Sequence, residues 1–364
     1  MLSLYTLVKP FLFTLDPEQA HDLTMAKFGF WSKQAWAIKQ VDKLFNQRVP
    51  SLETECMGLR FRHPVGLAAG LDKDAKALPM FSALGFSGVE LGTVTPKPQP
   101  GNDKPRMFRL LEDEALVNRM GFNSAGLDKF LDNLQRDSNS AVVGINVGKN
   151  AVTPIEDAHY DYVSAMQRVY SKADYITINI SSPNTKSLRD LQNEEYLDNL
   201  LLQLAQARDK CAKVHKQKVP IALKVAPDLE ADEIETIGNL LLSHKFDALI
   251  ATNTTVARPD SLKSKYADEA GGLSGAPVRD MSTATIREFR RVLGGQVQII
   301  GVGGIASADD AWEKLLAGAD YLQIYTHFIY QGPAIIQRIV EGLKQKVAQA
   351  GFDSLQDAMV QLRN

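Results

Sequence analysis

The segment most suggestive of chemistry is residues 175–185, Tyr-Ile-Thr-Ile-Asn-Ile-Ser-Ser-Pro-Asn-Thr. Its β-branched half predicts a strand that ends in two amides and a hydroxyl. Pro183 fixes its own φ and favours extended geometry before it, so a stiff backbone presents Ser182 between Asn179 and Asn184. Such a hydroxyl could move a proton while the amides orient a polar ligand. Taken alone, these residues also fit an ordinary Asx or Ser-Pro turn.

The surrounding pattern of strand, loop and helix repeats from about residue 56 onward. Most of the predicted strands are continuous apolar runs, as in a parallel sheet buried on both faces, at residues 65–69, 88–92, 142–147, 175–180, 221–225, 248–252, 298–302 and 321–325. Helical stretches lie between them, for example at residues 75–84, 197–214, 232–243, 282–293 and 308–317. This order predicts an α/β fold, a (β/α)₈ TIM barrel with a small N-terminal helical extension. Residues 107–110 and 115–118 predict a hairpin over its mouth.

In such a barrel the carboxyl ends of the strands meet at one rim and build the site. The predicted strand ends supply two lysines, several amides and glycine-bearing loops, which suit a flat, polar, anionic ligand: Ala69, Gly70, Lys73, Thr93, Asn146, Asn179, Lys224, Thr252, Asn253, Thr254, Gly303, Gly304, Tyr325 and Thr326, with Asn118 from the hairpin. The last two loops match the phosphate cradle common to these barrels. A tight strand-to-helix turn would also need the glycines.

The general base is predicted to be a residue other than histidine, because His327 is the only histidine close to a predicted strand end. Ser182 is the alternative, and a hydroxyl is an unusual base. It suits a reaction in which a proton leaves carbon as an adjacent hydride departs to a strong acceptor. Flavin is such an acceptor, and Lys224 could stabilise its anionic reduced form.

Composition excludes several other classes of protein. The 364 residues are 45% hydrophobic and 23% charged, and the net charge of −2 provides no basic field for nucleic acid. Cys56 and Cys211 form no metal-ligand pattern and no disulfide framework, so we expect no metal and a reducing compartment. No apolar run approaches the ~20 residues that span a bilayer, and the start lacks the features of a signal peptide.

The first fifty residues differ from the rest of the chain. They predict a helical pair whose second helix begins near Pro17, after the N-cap Asp16. That helix is predicted to carry many large apolar residues, Leu23, Met25, Phe28, Phe30, Trp31 and Trp36. Basic residues outnumber acidic ones in this segment, which fits a module lying on a membrane surface. Packing on the barrel or on a second subunit remains the alternative.

With these motifs in order, the chain resembles the class 2 dihydroorotate dehydrogenases, the quinone-linked family of pyrimidine biosynthesis. The resemblance spans nearly the whole chain. It is carried by Asp16-Pro17-Glu18 and by the segments at residues 66–73, 92–96, 118–123, 179–185, 252–255, 271–275 and 301–305. One departure is Ala75, where the family pattern leads us to expect glycine.

The resemblance implies one FMN per chain, held by Ala69, Gly70, Lys73, Thr93, Asn146, Asn179, Lys224, Thr252, Gly275, Gly304, Tyr325 and Thr326. It implies that dihydroorotate is bound by Lys73, Asn118, Arg119, Met120, Gly121, Phe122, Asn179, Asn184, Asn253 and Thr254. Ser182 would take the C5 proton while the C6 hydride passes to the flavin. Carboxamides match the alternating donors and acceptors of a pyrimidinedione, and Lys73 can meet the carboxylate.

Class 2 is indicated by Ser182, since class 1 relatives have a cysteine base, and by the N-terminal helices. The resemblance places His21, Arg109 and Tyr325 towards a membrane quinone. It implies a quinone module at residues 1–50, a catalytic barrel at 51–350 and a helical tail at 351–364. We expect peripheral association with the cytoplasmic face of the bacterial inner membrane, or with the mitochondrial inner membrane. Alternatives are a flavin barrel that reduces fumarate or NAD, a barrel that binds flavin or phosphate without redox activity, and a metal-free phosphosugar isomerase.

Overall fold

The structure is a computed structural model that describes residues 4–46, 48–136 and 141–363. The predicted segments 1–50 and 351–364 each include residues outside these ranges. In the described part the strands are, in chain order, β1 (Thr54–Cys56), β2 (Leu59–Phe61), β3 (Val65–Leu67), β4 (Gly88–Val94), β5 (Met107–Leu110), β6 (Ala115–Asn118), β7 (Val142–Val147), β8 (Tyr175–Asn179), β9 (Ile221–Val225), β10 (Ala248–Ala251), β11 (Gly272–Gly275), β12 (Gln298–Val302) and β13 (Tyr321–Ile324).

The α-helices lie before and between these strands and after the last one. They are α1 (Leu4–Thr14), α2 (Pro17–Ser32), α3 (Ala35–Phe45), α4 (Leu78–Ala83), α5 (Gly126–Asn133), α6 (Ala158–Val169), α7 (Glu194–His215), α8 (Ala231–Ser243), α9 (Arg279–Leu293), α10 (Ala308–Leu316), α11 (Thr326–Gln331), α12 (Ala334–Gln349) and α13 (Leu355–Leu362). None of these helices is both long and apolar enough to cross a bilayer.

The predicted barrel is confirmed. Strands β3, β4, β7, β8, β9, β10, β12 and β13 are parallel neighbours, and β13 pairs with β3 to close the ring. Their apolar side chains are buried because helices cover the outer face and packed side chains fill the interior. Predicted helix 75–84 begins later, at Leu78, since Ala75 has a left-handed φ of 57°. A glycine would adopt that φ with less strain, which explains why glycine was expected there.

Large aromatic side chains close the amino end of the barrel. The β1–β2 hairpin places the Phe61 ring 4.0 Å from the Tyr321 ring. A Cβ atom on Gly88 would lie 2.7 Å from the Tyr321 hydroxyl and 3.0 Å from the Phe61 ring, so only glycine leaves room for both rings. The interior is therefore packed at this end.

A small antiparallel sheet lies at the opposite end. Strands β5 and β6 form the predicted hairpin, which is confirmed. Strand β11 pairs with β6 and extends the hairpin to three strands. The sequence did not predict β11, because Gly-Leu-Ser-Gly has no run of β-branched residues.

The predicted helical pair is wrong in number, since three helices precede the barrel within residues 4–46. The predicted start of α2 is confirmed: Asp16 Oδ1 accepts hydrogen bonds from the N–H groups of Glu18 (2.9 Å) and Gln19 (3.1 Å). Trp36 lies on α3 rather than α2, because the chain is extended at Gln34. Neither proline nor glycine marks this break, so the sequence offers no signal for it.

Candidate active site

The carboxyl ends of the barrel strands surround a cavity, the rim cavity, which α2 and the β5–β6–β11 sheet also border. Most of the predicted site residues line it: His21, Ala69, Gly70, Lys73, Thr93, Asn118, Met120, Gly121, Phe122, Asn179, Ser182, Asn184, Lys224, Thr252, Asn253, Thr254, Gly275, Gly304, Tyr325 and Thr326. Distant stretches of the chain thus converge at one place.

Two predicted residues lie beside the lining of the rim cavity. Asn146 is buried behind it and holds two lining residues: its Oδ1 accepts from Thr93 Oγ1 at 2.6 Å and from Asn179 Nδ2 at 3.2 Å. Arg119 directs its guanidinium towards Glu269, with Nη1 2.7 Å from Oε2, and over the Phe108 ring. Its side chain therefore supports the surrounding loops.

A carboxyl group that the sequence analysis missed lies beneath the rim cavity. Glu90, in the middle of β4, is completely buried. It accepts hydrogen bonds from Asn146 Nδ2 (2.8 Å), Tyr175 OH (3.0 Å) and Gln323 Nε2 (2.8 Å). Lys224 Nζ lies 3.8 Å from Glu90 Oε1. Burial lowers the pKa of Lys224, and the nearby Glu90 opposes that shift.

Lys73 provides a second ammonium group, closer to α2. Its Nζ donates a hydrogen bond to Asn123 Oδ1. Burial lowers the pKa of Lys73 to about 8, with a smaller contribution from Arg106, while Glu18 acts in the opposite direction. A bound anion at this position would favour the charged ammonium.

Ser182 is buried and lines the rim cavity together with four carboxamides, those of Asn118, Asn179, Asn184 and Asn253. Its Oγ accepts a hydrogen bond from the Asn184 N–H at 3.3 Å. Asn184 Nδ2 lies 3.3 Å from Asn118 Oδ1, and Asn253 Nδ2 lies 3.3 Å from Asn179 Oδ1. The strand-to-loop transition that suggested chemistry in the sequence therefore faces the rim cavity.

Arg189 fixes the loops on either side of Ser182, and the sequence analysis missed it. Its Nε donates to the Ser181 carbonyl (3.1 Å), its Nη2 donates to the Thr254 carbonyl (2.9 Å) and its Nη1 pairs with Asp228 (2.8 Å). One guanidinium thus links the loops that follow β8, β9 and β10. An arginine within a short 3₁₀ segment gives no sequence signal for such a role.

The other side of the rim cavity consists of backbone and small polar groups. Gly303 and Gly304 have φ values of 124° and 70°, which favour glycine. Thr252 Oγ1 and Gln323 Oε1 are buried without a hydrogen-bond partner. Both residues line the rim cavity, so a polar ligand there would satisfy atoms that are otherwise costly to bury.

A second, largely apolar cavity, the helix cavity, lies between α1–α3 and the barrel. Many of its lining side chains are aliphatic or aromatic, among them Val8, Phe11, Leu12, Phe28, Trp31, Trp36, Leu71, Phe81, Leu84, Phe328 and Ile329. His21, Met107, Leu116 and Tyr325 line both cavities. Burial lowers the pKa of His21 to about 4, and Lys73 adds to this shift, so the imidazole is neutral at physiological pH.

Arg109 also lines the helix cavity, and its guanidinium binds the carboxyl end of α1. Nη1 donates to the carbonyls of Leu15 (2.9 Å) and Phe13 (3.3 Å), and Nη2 donates to that of Leu12 (3.2 Å). A cation is favourable beside these free carbonyls. Arg109 therefore anchors α1 whether or not it also meets a ligand.

Comparison with known proteins gives consistent results. A family model described as dihydroorotate dehydrogenase matches residues 51–347. "Dihydroorotate dehydrogenase (quinone)" of Burkholderia cenocepacia is 50% identical over 344 residues, 94% of this chain and 98% of the relative. The protein of the same name from Vibrio parahaemolyticus is 50% identical over 340 residues, 93% of this chain and 100% of the relative.

Solved structures show the same similarity. The crystal structure of DHODH from Eimeria tenella in complex with ferulenol has a TM-score of 0.85 and 39% identity, covering 94% of this chain and 95% of that one. A ligand-free structure from the same organism has a TM-score of 0.83 and 40% identity, covering 94% of this chain and 98% of that one.

Proposed function

The chain belongs to the dihydroorotate dehydrogenase family, and we infer on this premise that it oxidises (S)-dihydroorotate to orotate in pyrimidine biosynthesis, with FMN as cofactor and a quinone as electron acceptor. The observation that carries this conclusion is the 50% identity, over 94% of the chain, to an enzyme named for the quinone-dependent reaction. The alternatives of a fumarate- or NAD-linked barrel and of an isomerase have no comparable support.

The rim cavity fits FMN, and we propose that it is the cofactor site. FMN, when bound, supplies the acceptor for the hydride that leaves C6 of dihydroorotate. The unpartnered atoms of Thr252 and Gln323 support a polar ligand at this position. The residues proposed to hold FMN are Ala69, Gly70, Lys73, Thr93, Asn146, Asn179, Lys224, Thr252, Gly275, Gly304, Tyr325 and Thr326.

The part of the rim cavity lined by the carboxamides of Asn118, Asn179, Asn184 and Asn253 is the proposed dihydroorotate site. Amides offer donors beside acceptors, as the edge of a pyrimidinedione requires, and Lys73 can pair with the substrate carboxylate. The proposed set is Lys73, Asn118, Arg119, Met120, Gly121, Phe122, Asn179, Asn184, Asn253 and Thr254. For Arg119 we propose a role through its backbone, because its side chain binds Glu269.

Ser182 is the proposed base. Its Oγ would take the proton from C5 as the C5–C6 double bond forms and would pass its own hydroxyl proton on towards solvent, while the hydride leaves C6 with the electron pair of its bond. The hydrogen bond from the Asn184 N–H favours the negative charge that Oγ gains as it releases its own proton. Arg189 would hold the flanking loops in register.

We propose the helix cavity as the quinone site, with His21, Arg109 and Tyr325 towards the head group. Its apolar lining and the residues it shares with the rim cavity support this assignment. Phe11, Phe30, Trp31 and Trp36 are exposed on α1–α3, as suits peripheral association with a membrane. In this proposal residues 1–50 form the quinone module on the cytoplasmic face of the bacterial inner membrane, residues 51–350 the catalytic barrel and residues 351–364 a helical tail.

An anaerobic titration tests the function. Dihydroorotate should bleach the bound flavin and yield orotate, and added quinone should restore the flavin colour. Failure of dihydroorotate to bleach the flavin would contradict the proposed substrate. Recovery with fumarate or NAD, but not with quinone, would contradict the proposed acceptor.

A further inference from the structure

Lys314, on α10, has an unusual environment for a lysine. Its side chain is completely buried. Nζ donates to the Arg279 carbonyl (3.2 Å), Ser282 Oγ (3.1 Å) and Thr283 Oγ1 (3.0 Å). Among the described residues, no carboxylate lies within ion-pair distance of this ammonium. All three donors are thus satisfied by neutral oxygens, and the charge has no direct partner.

A buried ammonium without a charged partner destabilises the folded state. Burial lowers the pKa of Lys314 to about 7, an effect that the more distant Glu313, Asp310 and Asp280 oppose and Arg279 reinforces. An apolar side chain of similar size would fill the same space without desolvating a charge. The position of the amine relative to the rim cavity suggests why a cation is present.

The residues that Lys314 binds lie directly against the Gly303-Gly304 loop. A Cβ atom on Gly303 would lie 3.1 Å from Ser282 Oγ, and one on Gly304 would lie 2.8 Å from the Arg279 nitrogen. Both glycines line the rim cavity. Lys314 thus fastens the first turn of α9 behind the glycine loop that matches the phosphate cradle of such barrels, and its positive charge lies behind that turn.

We propose that Lys314 is the buried counter-charge for the phosphate of FMN and makes the site select FMN over riboflavin, an inference that rests on the proposed function. Arg279 is a second cation near this turn, but its guanidinium is engaged by Asp280 (2.8 Å) and by Asp310 (3.3 Å). The Lys314 ammonium, by contrast, contacts only neutral oxygens close to the glycine loop. The dianionic phosphate is the part of FMN that riboflavin lacks.

The test compares the binding of FMN and of riboflavin to the full-length protein and its variants. Wild type and the variants Lys314→Met and Lys314→Gln are dialysed against mixtures of FMN and riboflavin, and the bound flavins are released and separated. The ratio of bound flavins reports only folded protein, so partial unfolding does not obscure the result. Lys344→Met is the matched control, because Lys344 is an exposed lysine on α12.

We expect selectivity for FMN to fall on the order of tenfold to a hundredfold in both Lys314 variants, the effect of one charge at intermediate dielectric. Lys344→Met should keep the wild-type ratio. Ser282→Ala, which retains the ammonium and removes one of its acceptors, should reduce selectivity several-fold. Unchanged selectivity in Lys314→Met or Lys314→Gln, or in Ser282→Ala if neither lysine variant folds, would overturn the inference. Binding of neither flavin by wild type would instead contradict the proposed function.

Discussion

Glu90 and Lys224 face each other beneath the rim cavity, with Oε1 3.8 Å from Nζ and both side chains buried. The other contacts of Glu90 are hydrogen bonds from Asn146, Tyr175 and Gln323. Four donors thus surround one carboxyl group. The negative charge therefore offsets part of the field of the Lys224 ammonium at the cavity.

Replacing Glu90 with glutamine should raise the reduction potential of bound FMN. Removing a negative charge stabilises the anionic reduced form by about 1–2 kcal/mol at intermediate dielectric, or roughly 20–45 mV for a two-electron couple. Anaerobic titration with reference dyes measures the potential. Tyr175→Phe is the control, because it removes one donor to Glu90 and leaves the charge. A potential that stays constant or falls in Glu90→Gln would show that Glu90 does not act through its charge.

Lys73 should make orotate binding depend on pH. Since its pKa is lowered to about 8, the ammonium that pairs with the substrate carboxylate is lost as the pH rises above that value. The affinity for orotate should decrease by up to tenfold per pH unit in the alkaline range. Equilibrium titration of the enzyme with orotate between pH 6 and roughly pH 10 measures it. The Lys73→Met variant should bind orotate weakly, with an affinity that does not change with pH. An affinity of the wild type for orotate that does not change with pH would exclude pairing of Lys73 with the substrate carboxylate.

The barrel and the composition of its rim followed from the sequence because apolar runs and strand-end polar residues are local signals. The role of Glu90 did not, since Glu90 lies inside a strand that is buried on both faces and its partners come from β7, β8, β9 and β13. Arg189 was missed for a similar reason: its role depends on Asp228 and Thr254, in two loops far away in the sequence. Contacts between distant segments have no periodic pattern to reveal them.

The docking of the N-terminal helices depends on Glu18. Its carboxylate binds the buried Arg106, with Oε1 2.8 Å from Nη2, and the exposed Lys104 at 3.2 Å. Glu18→Ala should lower the free energy of unfolding by about 3–5 kcal/mol, because Arg106 loses its partner in a buried setting. Lys104→Ala should cost less than about 1 kcal/mol. Urea denaturation measures the free energy of unfolding of both variants. Equal losses in Glu18→Ala and Lys104→Ala would contradict the role given to the pair of Glu18 with Arg106.

The ion pair of Glu18 with Arg106 also predicts that the protein becomes less stable in acid. Burial raises the pKa of Glu18, but Arg106 and Lys104 outweigh burial, so that the net shift is downwards. A carboxyl group with a lowered pKa stabilises the fold above its unfolded pKa, and this stabilisation disappears as the pH falls through the folded value. The Glu18→Ala variant should therefore lose less stability than the wild type on acidification.

Trp36 tests the proposed membrane contact. Its side chain is 64% exposed and its ring lies 5.8 Å from that of Trp31. Trp36→Glu should weaken sedimentation with vesicles that contain anionic lipid and slow the reduction of long-chain quinone, while turnover with a water-soluble acceptor is retained. Tyr160→Glu is the matched control, because Tyr160 is 65% exposed on α6. Equal vesicle binding by both variants would favour the alternative that the helices serve only in packing.

The central claim is that the Ser182 hydroxyl removes the C5 proton, and the rate of flavin reduction by dihydroorotate under anaerobic stopped flow tests it most directly. Ser182→Ala should keep its FMN and reduce it about 10²–10⁴-fold more slowly than the wild type, the usual contribution of a general base. Ser182→Cys should recover part of the rate, since the thiolate of cysteine can accept a proton. A Ser182→Ala enzyme that reduces its flavin at the wild-type rate would contradict the claim.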